Sequence, residues 1–377
     1  MKVLVTGGAG FIGSHLVDLL VSRGHETVVL DSLDPQVHGP GAVEPRHIAG
    51  HVGSGVVRFI RGDVNDRDAV ASGLEGAQAV VHLAAAVGVG QSMYEPHYYV
   101  QCNSGGTGLL LDVIARARGE LRKLVVASSM SLYGEGAYRC EACGGERGRE
   151  RDEERMKAGL WEVACASCGR DMAPRPTPET KAPEIASVYA ATKKHQEDLA
   201  VCFGRAFRIP TFGLRLFNAF GSRQSLGNPY TGVAAIFLSR LLGGKAPLLF
   251  EDGRQARDFI DVRDVARALL MATESEAAGA HVLNVCTGRP TSVIEIAAAL
   301  GARLGVAVEP RALGRYRSGD VRHCYGDPSL AREVLGFEAG IALEAGLGDL
   351  VDWCRAEAAM DRVEESLEEL EERGLVR

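Results

Sequence analysis

Lys2-Val3-Leu4-Val5-Thr6-Gly7-Gly8-Ala9-Gly10-Phe11-Ile12-Gly13 is the stretch that decides the fold. Its first residues form an apolar, β-branched run that predicts a buried parallel strand. Gly7, Gly10 and Gly13 then repeat as G-x-x-G-x-x-G, and Leu16, Leu19 and Leu20 follow with helical spacing. Strand, glycine turn and helix make the first half of a βαβ unit. The glycines let the backbone approach a pyrophosphate, and the helix start offers N–H groups and a positive dipole end. Gly7, Gly10, Phe11, Ile12 and Gly13 are therefore candidate dinucleotide contacts. A second strand-like run, Thr27 to Leu30, ends at Asp31. A carboxylate there accepts both adenosine ribose hydroxyls and repels a 2′-phosphate, which favours NAD over NADP.

Further strand-like runs are Val56 to Ile60, Ala79 to Leu83 and Leu124 to Ser128, each separated by a helical or loop segment. This alternation predicts an α/β protein with a Rossmann-like, doubly wound parallel sheet. Asp63 and Val64 follow the third run, where an adenine edge would lie. Leu83, Ala84 and Ala85 close the fourth with small side chains that admit a cofactor close to the strand ends. His82, just before them, reads either as a satisfied core histidine or as a catalytic group.

The chain has 377 residues, 46% hydrophobic and 24% charged, with a formal net charge of -7. A negative balance gives no general help in binding nucleic acid. No signal peptide is apparent, and no apolar stretch reads as a membrane span. Five of the nine cysteines (Cys102, Cys202, Cys286, Cys324, Cys354) are scattered singly, which suits a reducing cytoplasm better than a disulfide framework.

Tyr189 and Lys193 stand four apart in a helical stretch, Ser187 to Phe203, and so share one face. A phenol has a pKa near 10. A nearby ammonium and a positive nicotinamide are expected to lower it, so that the phenolate removes a sugar hydroxyl proton while hydride leaves the same carbon. Ser129, at the end of a strand, is placed to orient that hydroxyl.

With these residues in order, the chain resembles the extended short-chain dehydrogenase/reductase family, and within it the NAD-dependent nucleotide-sugar epimerases and dehydratases. The resemblance covers about residues 1 to 350. It is carried by Gly7 to Gly13, His82 to Ala85, Gly90-Gln91-Ser92 with Glu95-Pro96, and Asn103 with Gly106-Thr107. Further on it is carried by Ser128 to Gly134, Tyr189 with Lys193, Leu214 to Asn218, Arg257 to Val262 and Arg317-Ser318-Gly319-Asp320. The resemblance implies a Ser129/Tyr189/Lys193 catalytic set and a cofactor-side contact at Asn103. It also implies that Val87, Ser129, Ser131, Asn218, Val233, Arg257 and Arg317 serve the substrate. Asn218 and the two arginines would hold its diphosphate, which guanidinium forks match well.

Related 4,6-dehydratases carry Thr-Asp-Glu where this chain has Ser129, Met130 and Ser131. Met130 and Ser131 cannot supply the acid and base that dehydration needs. The glutamate that decarboxylating relatives use near this strand end is also missing. What remains is hydride removal and return, that is, 4-epimerisation through a transient 4-keto sugar. Val87 and Val89 give the Ser92 loop an apolar wall suited to a 6-deoxy sugar. The stretch from Asn228 to Val233, with Phe250 to Gly253, is similar to a subset that looks like dTDP-L-rhamnose 4-epimerases. Alternatives are a UDP-hexose or UDP-uronate 4-epimerase, a nucleotide-sugar 4-reductase or dehydrogenase, and a non-catalytic NAD-sensing scaffold.

Ser129 and Tyr189 lie 60 positions apart, well beyond the family norm. The excess, residues 136–181, holds Cys140-x-x-Cys143 and Cys165-x-x-Cys168 with 21 residues between the pairs. Four thiolates so arranged suit one structural zinc, with a rubredoxin-like iron or two disulfides as alternatives. The insertion reads as a metal staple for a small loop, as a substrate lid, or as a knob for a partner. The expected plan is an NAD-binding domain over residues 1–218 with its sheet revisited at about 258–287, and a substrate lobe over 219–350. An acidic C-terminal helix is expected over 351–377. That helix, with Met360, Val363, Leu367 and Leu370 in register, is expected to pack on its own subunit or on a dimer mate. The family resemblance implies a homodimer through helices near Ser92 to Ala117 and Ser187 to Phe203.

Overall fold

A computed structural model of the protein describes residues 1–117, 121–149, 151–225, 232–306, 309–317, 319–356 and 363–376. Its centre is a seven-stranded parallel sheet built from β1 (Lys2–Thr6), β2 (Glu26–Asp31), β3 (Val57–Arg61), β4 (Ala79–His82), β5 (Lys123–Ser129), β6 (Thr211–Leu216) and β7 (Ala280–Val285). The strands lie in the order β7-β6-β5-β4-β1-β2-β3, all parallel. Chain direction across the sheet reverses between β1 and β4. Strand ends part there, and a crevice opens at their carboxyl side.

Alternate residues of each strand feed opposite cores, as the pleat requires. Val3 and Val5 pack with Leu16, Leu20, Phe212 and Leu214 on one face. Leu4 packs with Val80, Leu110 and Leu124 on the other. The predicted strands agree with β1 to β5 within a residue or two at their ends, and β7 falls inside the stretch expected to return to the sheet. β6 has no counterpart among them, because Gly213 and Arg215 interrupt its apolar run. Arg215 is nonetheless buried, its charge matched by Glu197 at 2.8 Å.

Beyond Phe220 a separate core gathers Phe237, Leu238, Ile296, Leu300, Leu347 and Leu350. The chain returns to the large sheet at β7. Phe259–Asp261 instead pairs with Asn218–Phe220 in a two-stranded ladder of its own. The cysteine insertion is closed at its base by an antiparallel ladder of Ala137–Arg139 with Ala173–Arg175. Its own core is small: Tyr138, Cys140, Val163, Cys165 and Met172.

The C-terminal region is described as helices Leu343–Ala356 and Val363–Glu372, and Met360 lies outside the described residues. The second helix packs on its own chain. Tyr94 Oη donates to Glu369 at 3.0 Å, and Arg373 lies 4.1 Å over the Tyr94 ring. Lys245 pairs with Glu364 at 2.9 Å, and Val376 forms an isolated bridge with Arg317. Among the described residues no helix is long and apolar enough to cross a membrane.

Candidate active site

The crevice is a cleft of ≈ 610 Å³ at the carboxyl ends of the strands. The glycine turn forms one wall. Gly7 has φ +70, and a Cβ there would lie 2.8 Å from the Ala84 nitrogen, so only glycine fits between two strand ends. A Cβ at Gly13 would meet the Gly7 oxygen at 2.2 Å, which keeps the helix start against the turn. Gly10 meets only the Gly7 oxygen, at 3.4 Å, and leaves its backbone open to the cleft. Gly10, Phe11, Ile12 and Gly13 line the cleft, as do Asp31, Asp63, Val64, Leu83, Ala84 and Ala85. Asp31 is held by the Ala9 N–H at 3.0 Å and the Leu33 N–H at 2.9 Å. A helix start, a small-residue floor and a fixed carboxylate together fit a dinucleotide.

Asn103 does not line the cleft. Its amide bonds both the N–H and the carbonyl of Ala86 (2.7 and 3.0 Å) and the Thr192 hydroxyl (2.9 Å). It pins the β4 end to the Val188–Phe207 helix and shapes the cofactor wall from behind.

That helix carries Tyr189 and Lys193 into the cleft. The Ser187 side chain accepts from the Ala190 N–H at 3.1 Å, which caps its first turn. The Tyr189 N–H donates to Ser92 Oγ at 3.0 Å, which ties the turn to the loop after β4. Ser129 Oγ accepts from both the N–H and the hydroxyl of Ser131, at 3.2 and 2.9 Å. Its own hydrogen is then directed elsewhere, and its nearness to Tyr189 favours the phenolate. Ser131 thus orients Ser129 from behind it. Ser128 turns away and donates to Glu197 at 2.7 Å.

The expectation that an adjacent ammonium lowers the Tyr189 pKa is not met by the polypeptide alone. Burial raises the phenol, and only Ser129 pulls it back. Lys193 donates to Gln196 Oε1 at 2.6 Å instead. Burial draws Lys193 down to about 8, against the charges of Cys102 and Glu197. His82 is a core histidine: its ring nitrogens meet Thr6 at 2.7 Å and Thr107 at 2.9 Å. Burial, helped by Lys193, holds it near 3, so it stays neutral and has no acid–base part.

On the substrate side, Val87, Ser129, Asn218 and Val233 line the cleft. The buried Oδ1 of Asn218 has no partner within the protein. Gln224, which the sequence reading missed, also lines the cleft with a buried, unpartnered Oε1. Both acceptors face donors from outside the protein, a ligand or water. Arg257 and Arg317 do not line the cleft. They meet over Asp320, at 3.4 and 2.9 Å, and Arg317 also covers the Phe250 ring at 4.5 Å. The two guanidiniums outweigh burial and hold the Asp320 carboxyl at about 2. Ser318, and the Asn228 to Thr231 stretch that carried the substrate resemblance, lie outside the described residues.

The cysteines Cys140, Cys143, Cys165 and Cys168 converge with all sulfurs within 4.8 Å of one another. Cys140 to Cys168 and Cys143 to Cys165 are 3.5 Å apart, near the roughly 3.8 Å edge of a tetrahedron with Zn–S bonds of about 2.3 Å. The two knuckles repeat each other. Gly144 N–H bonds the Cys140 carbonyl and Gly169 N–H bonds the Cys165 carbonyl, at 2.8 and 2.9 Å. Four sulfurs in that arrangement fit one metal ion, and none of the nine cysteines is in a disulfide.

Comparison with known proteins agrees with this geometry. The model of the NAD dependent epimerase/dehydratase family matches residues 3–151 and 160–286. A dTDP-L-rhamnose 4-epimerase from Burkholderia thailandensis is 36% identical over 362 residues, 94% of this chain and 95% of that protein. The crystal structure of UDP-glucose 4-epimerase with UDP-glucose from Thermotoga maritima superposes with a TM-score of 0.75 at 30% identity, over 94% of this chain and 99% of that one. The UDP-glucuronic acid 4-epimerase from Bacillus cereus, in complex with UDP-glucuronic acid and NAD, gives 0.76 at 26% identity over the same shares.

Proposed function

The chain belongs to the NAD-dependent epimerase/dehydratase family, and on that premise we propose that it is an NAD-dependent nucleotide-sugar 4-epimerase acting on a dTDP-6-deoxyhexose such as dTDP-L-rhamnose. The observation that carries this reading is Tyr189 and Ser129 together on the wall of the same cleft as the Gly7–Gly13 turn. NAD, when bound along that turn with its adenosine ribose at Asp31, supplies the acceptor and then the donor of hydride at C4.

The protein's own groups do the rest. Tyr189 takes the C4 hydroxyl proton as the 4-keto sugar forms, and returns it after the ring presents its other face. Ser129 shares the hydrogen bond and keeps the oxygen aligned. Lys193, held by Gln196, lines the same cleft one helical turn from Tyr189 and faces the cofactor side. Arg257 and Arg317 hold the diphosphate while Val87 and Val89 offer the sugar few polar grips, so the ketose is free to turn. The lack of acidic side chains at positions 130 and 131 supports epimerisation over dehydration. The first relative named above supports a 6-deoxy substrate. The UDP-sugar epimerases support the second reading, a UDP-hexose or UDP-uronate.

The four-cysteine cluster is assigned to a structural zinc: four protein sulfurs close the coordination sphere and leave no open position for catalysis. A homodimer through the 96–117 and 188–207 helices is favoured by exposed Val100 and Phe207 on them. A cytoplasmic location suits the family and the unbridged thiols.

The test is incubation with UDP-, dTDP- and GDP-sugars, scored for inversion at C4 by NMR. Inversion with dTDP-L-rhamnose and without added cofactor is expected; a requirement for added NADH would instead make it a reductase. Tyr189→Phe should lower turnover by about 10²–10⁴-fold while bound NAD is retained.

A further inference from the structure

The cysteine ribbon stands apart from the cleft: among the described residues, none from 136 to 181 lines it. Its contacts run instead to the segment that carries Arg317 and Asp320. At the stem, Gly136 N–H donates to the His323 carbonyl and Thr177 N–H to the Tyr325 carbonyl, both at 2.8 Å. The Arg257 strand pairs with that same segment, Arg257 opposite Cys324. Trp161 packs edge-on against Tyr316 at 6.3 Å. Glu162 accepts from Arg322 at 2.6 and 3.0 Å and lies 2.9 Å from His323 Nε2.

Arg151 reaches furthest in. Its side chain is 7% exposed, with Nε 3.1 Å from Glu135 Oε1. Nη1 donates to Glu251 Oε1 at 2.7 Å, and Nη2 donates to the backbone carbonyl of Asp320 at 2.6 Å. The Asp320 carboxylate is the group that Arg257 and Arg317 share. One ribbon residue thus fixes the carbonyl of the residue whose side chain pairs with Arg317 and touches Arg257, and the carbonyls of the next two residues, Val321 and Arg322, hold the Arg257 guanidinium.

We propose that Arg151 is a positioning residue for diphosphate recognition: the ribbon braces Asp320, and Asp320 fixes the reach of Arg257 and Arg317. This rests on the reading of those two arginines as the diphosphate clamp. The metal's part is indirect. It gives a loop with little core enough order to hold Arg151 in a buried, three-acceptor geometry. An ammonium cannot serve three acceptors in a plane as a guanidinium fork does.

The experiment uses the NAD- and metal-loaded enzyme with Arg151→Lys and, as a second variant, Arg151→Met. KM for the nucleotide-sugar and affinity for free dTDP, by calorimetry, should weaken about tenfold, as for residues sharing one hydrogen-bond network. kcat should stay within about twofold, a loss of binding shared by ground and transition states. NAD and metal content should match the parent. Unchanged dTDP affinity overturns the proposal, and so does a parallel fall in kcat and NAD content, which marks general loosening. Arg317→Lys separates the two readings. If it weakens dTDP and Arg151→Lys does not, the brace alone falls. If neither weakens dTDP, the clamp reading falls and the brace with it. The double variant should lose less than the sum of the singles.

Discussion

The Tyr189 helix and the cysteine ribbon are both separate from the glycine turn in sequence, yet they earn their order in opposite ways. The helix is locked by a buried polar chain. Glu197 accepts from Ser128 and from two nitrogens of Arg215, and Arg215 passes on to Tyr133, which donates to Asn284 at 2.8 Å. That chain ties β5, β6 and β7 to the helix under a large apolar core. The ribbon has a core of five side chains and relies on its cysteines and on ion pairs such as that of Arg151 with Glu251. On the proposed reading, the helix held by that buried chain would carry the chemistry, which needs sub-ångström placement, and the loop held by its cysteines and ion pairs would carry an adjustment of binding, which tolerates more play.

The sharpest way to break the contrast is to cut the buried pair. Glu197→Ala leaves Arg215 buried without its counter-ion, which typically costs about 3–5 kcal/mol. The expected result is a drop in thermal midpoint with turnover lost in step, read by calorimetry and NMR assay. A variant of unchanged stability would mean that the helix does not depend on this chain. Metal removal should do less to the whole and more to the part. Chelation, or Cys143→Ser, should open amide exchange across residues 136–181 while β1 to β7 keep their protection. Affinity for dTDP should fall to the level of Arg151→Lys. Loss of protection across the sheet would show that the ribbon is part of the main cooperative unit.

How legible each region is in the sequence follows from the same contrast. The glycine turn, Asp31 and the Tyr189–Lys193 pair are local patterns, and spacing alone puts them on one loop or one helix face. The cysteine pairs are equally local, and four sulfurs meet where their spacing says they should. Arg215 hid β6, because a charge in a strand reads as solvated until its partner on a distant helix is known. Arg151 hid in the charged run Glu146 to Arg155, which reads as a polar connector. Its bond to Asp320 spans 169 positions, and no periodicity reports such a contact. Asn103 and Ser131 were legible as motif members but not as supports: only the hydrogen bonds show them acting through Ala86 and Ser129.

Acid should separate the two regions with the smallest perturbation. Burial works against the charge on Glu162, but His323 and Arg322 outweigh it and hold the carboxyl at about 2, below its ordinary 4.5. A carboxyl depressed in the folded state adds stability that is complete above its unfolded pKa and is lost as pH falls through the folded value. The grip of Glu162 on Arg322 is therefore full at neutral pH and erodes between about 4.5 and about 2, and that of Asp320 on Arg257 and Arg317 between 3.8 and about 2. The chain has two tryptophans, and Trp161 sits in the ribbon against Tyr316. In a Trp353→Phe background, Trp161 emission should shift reversibly as pH falls through about 4.5 to about 2. Emission that stays unchanged as pH falls through about 4.5 to about 2 would contradict a carboxylate-held brace.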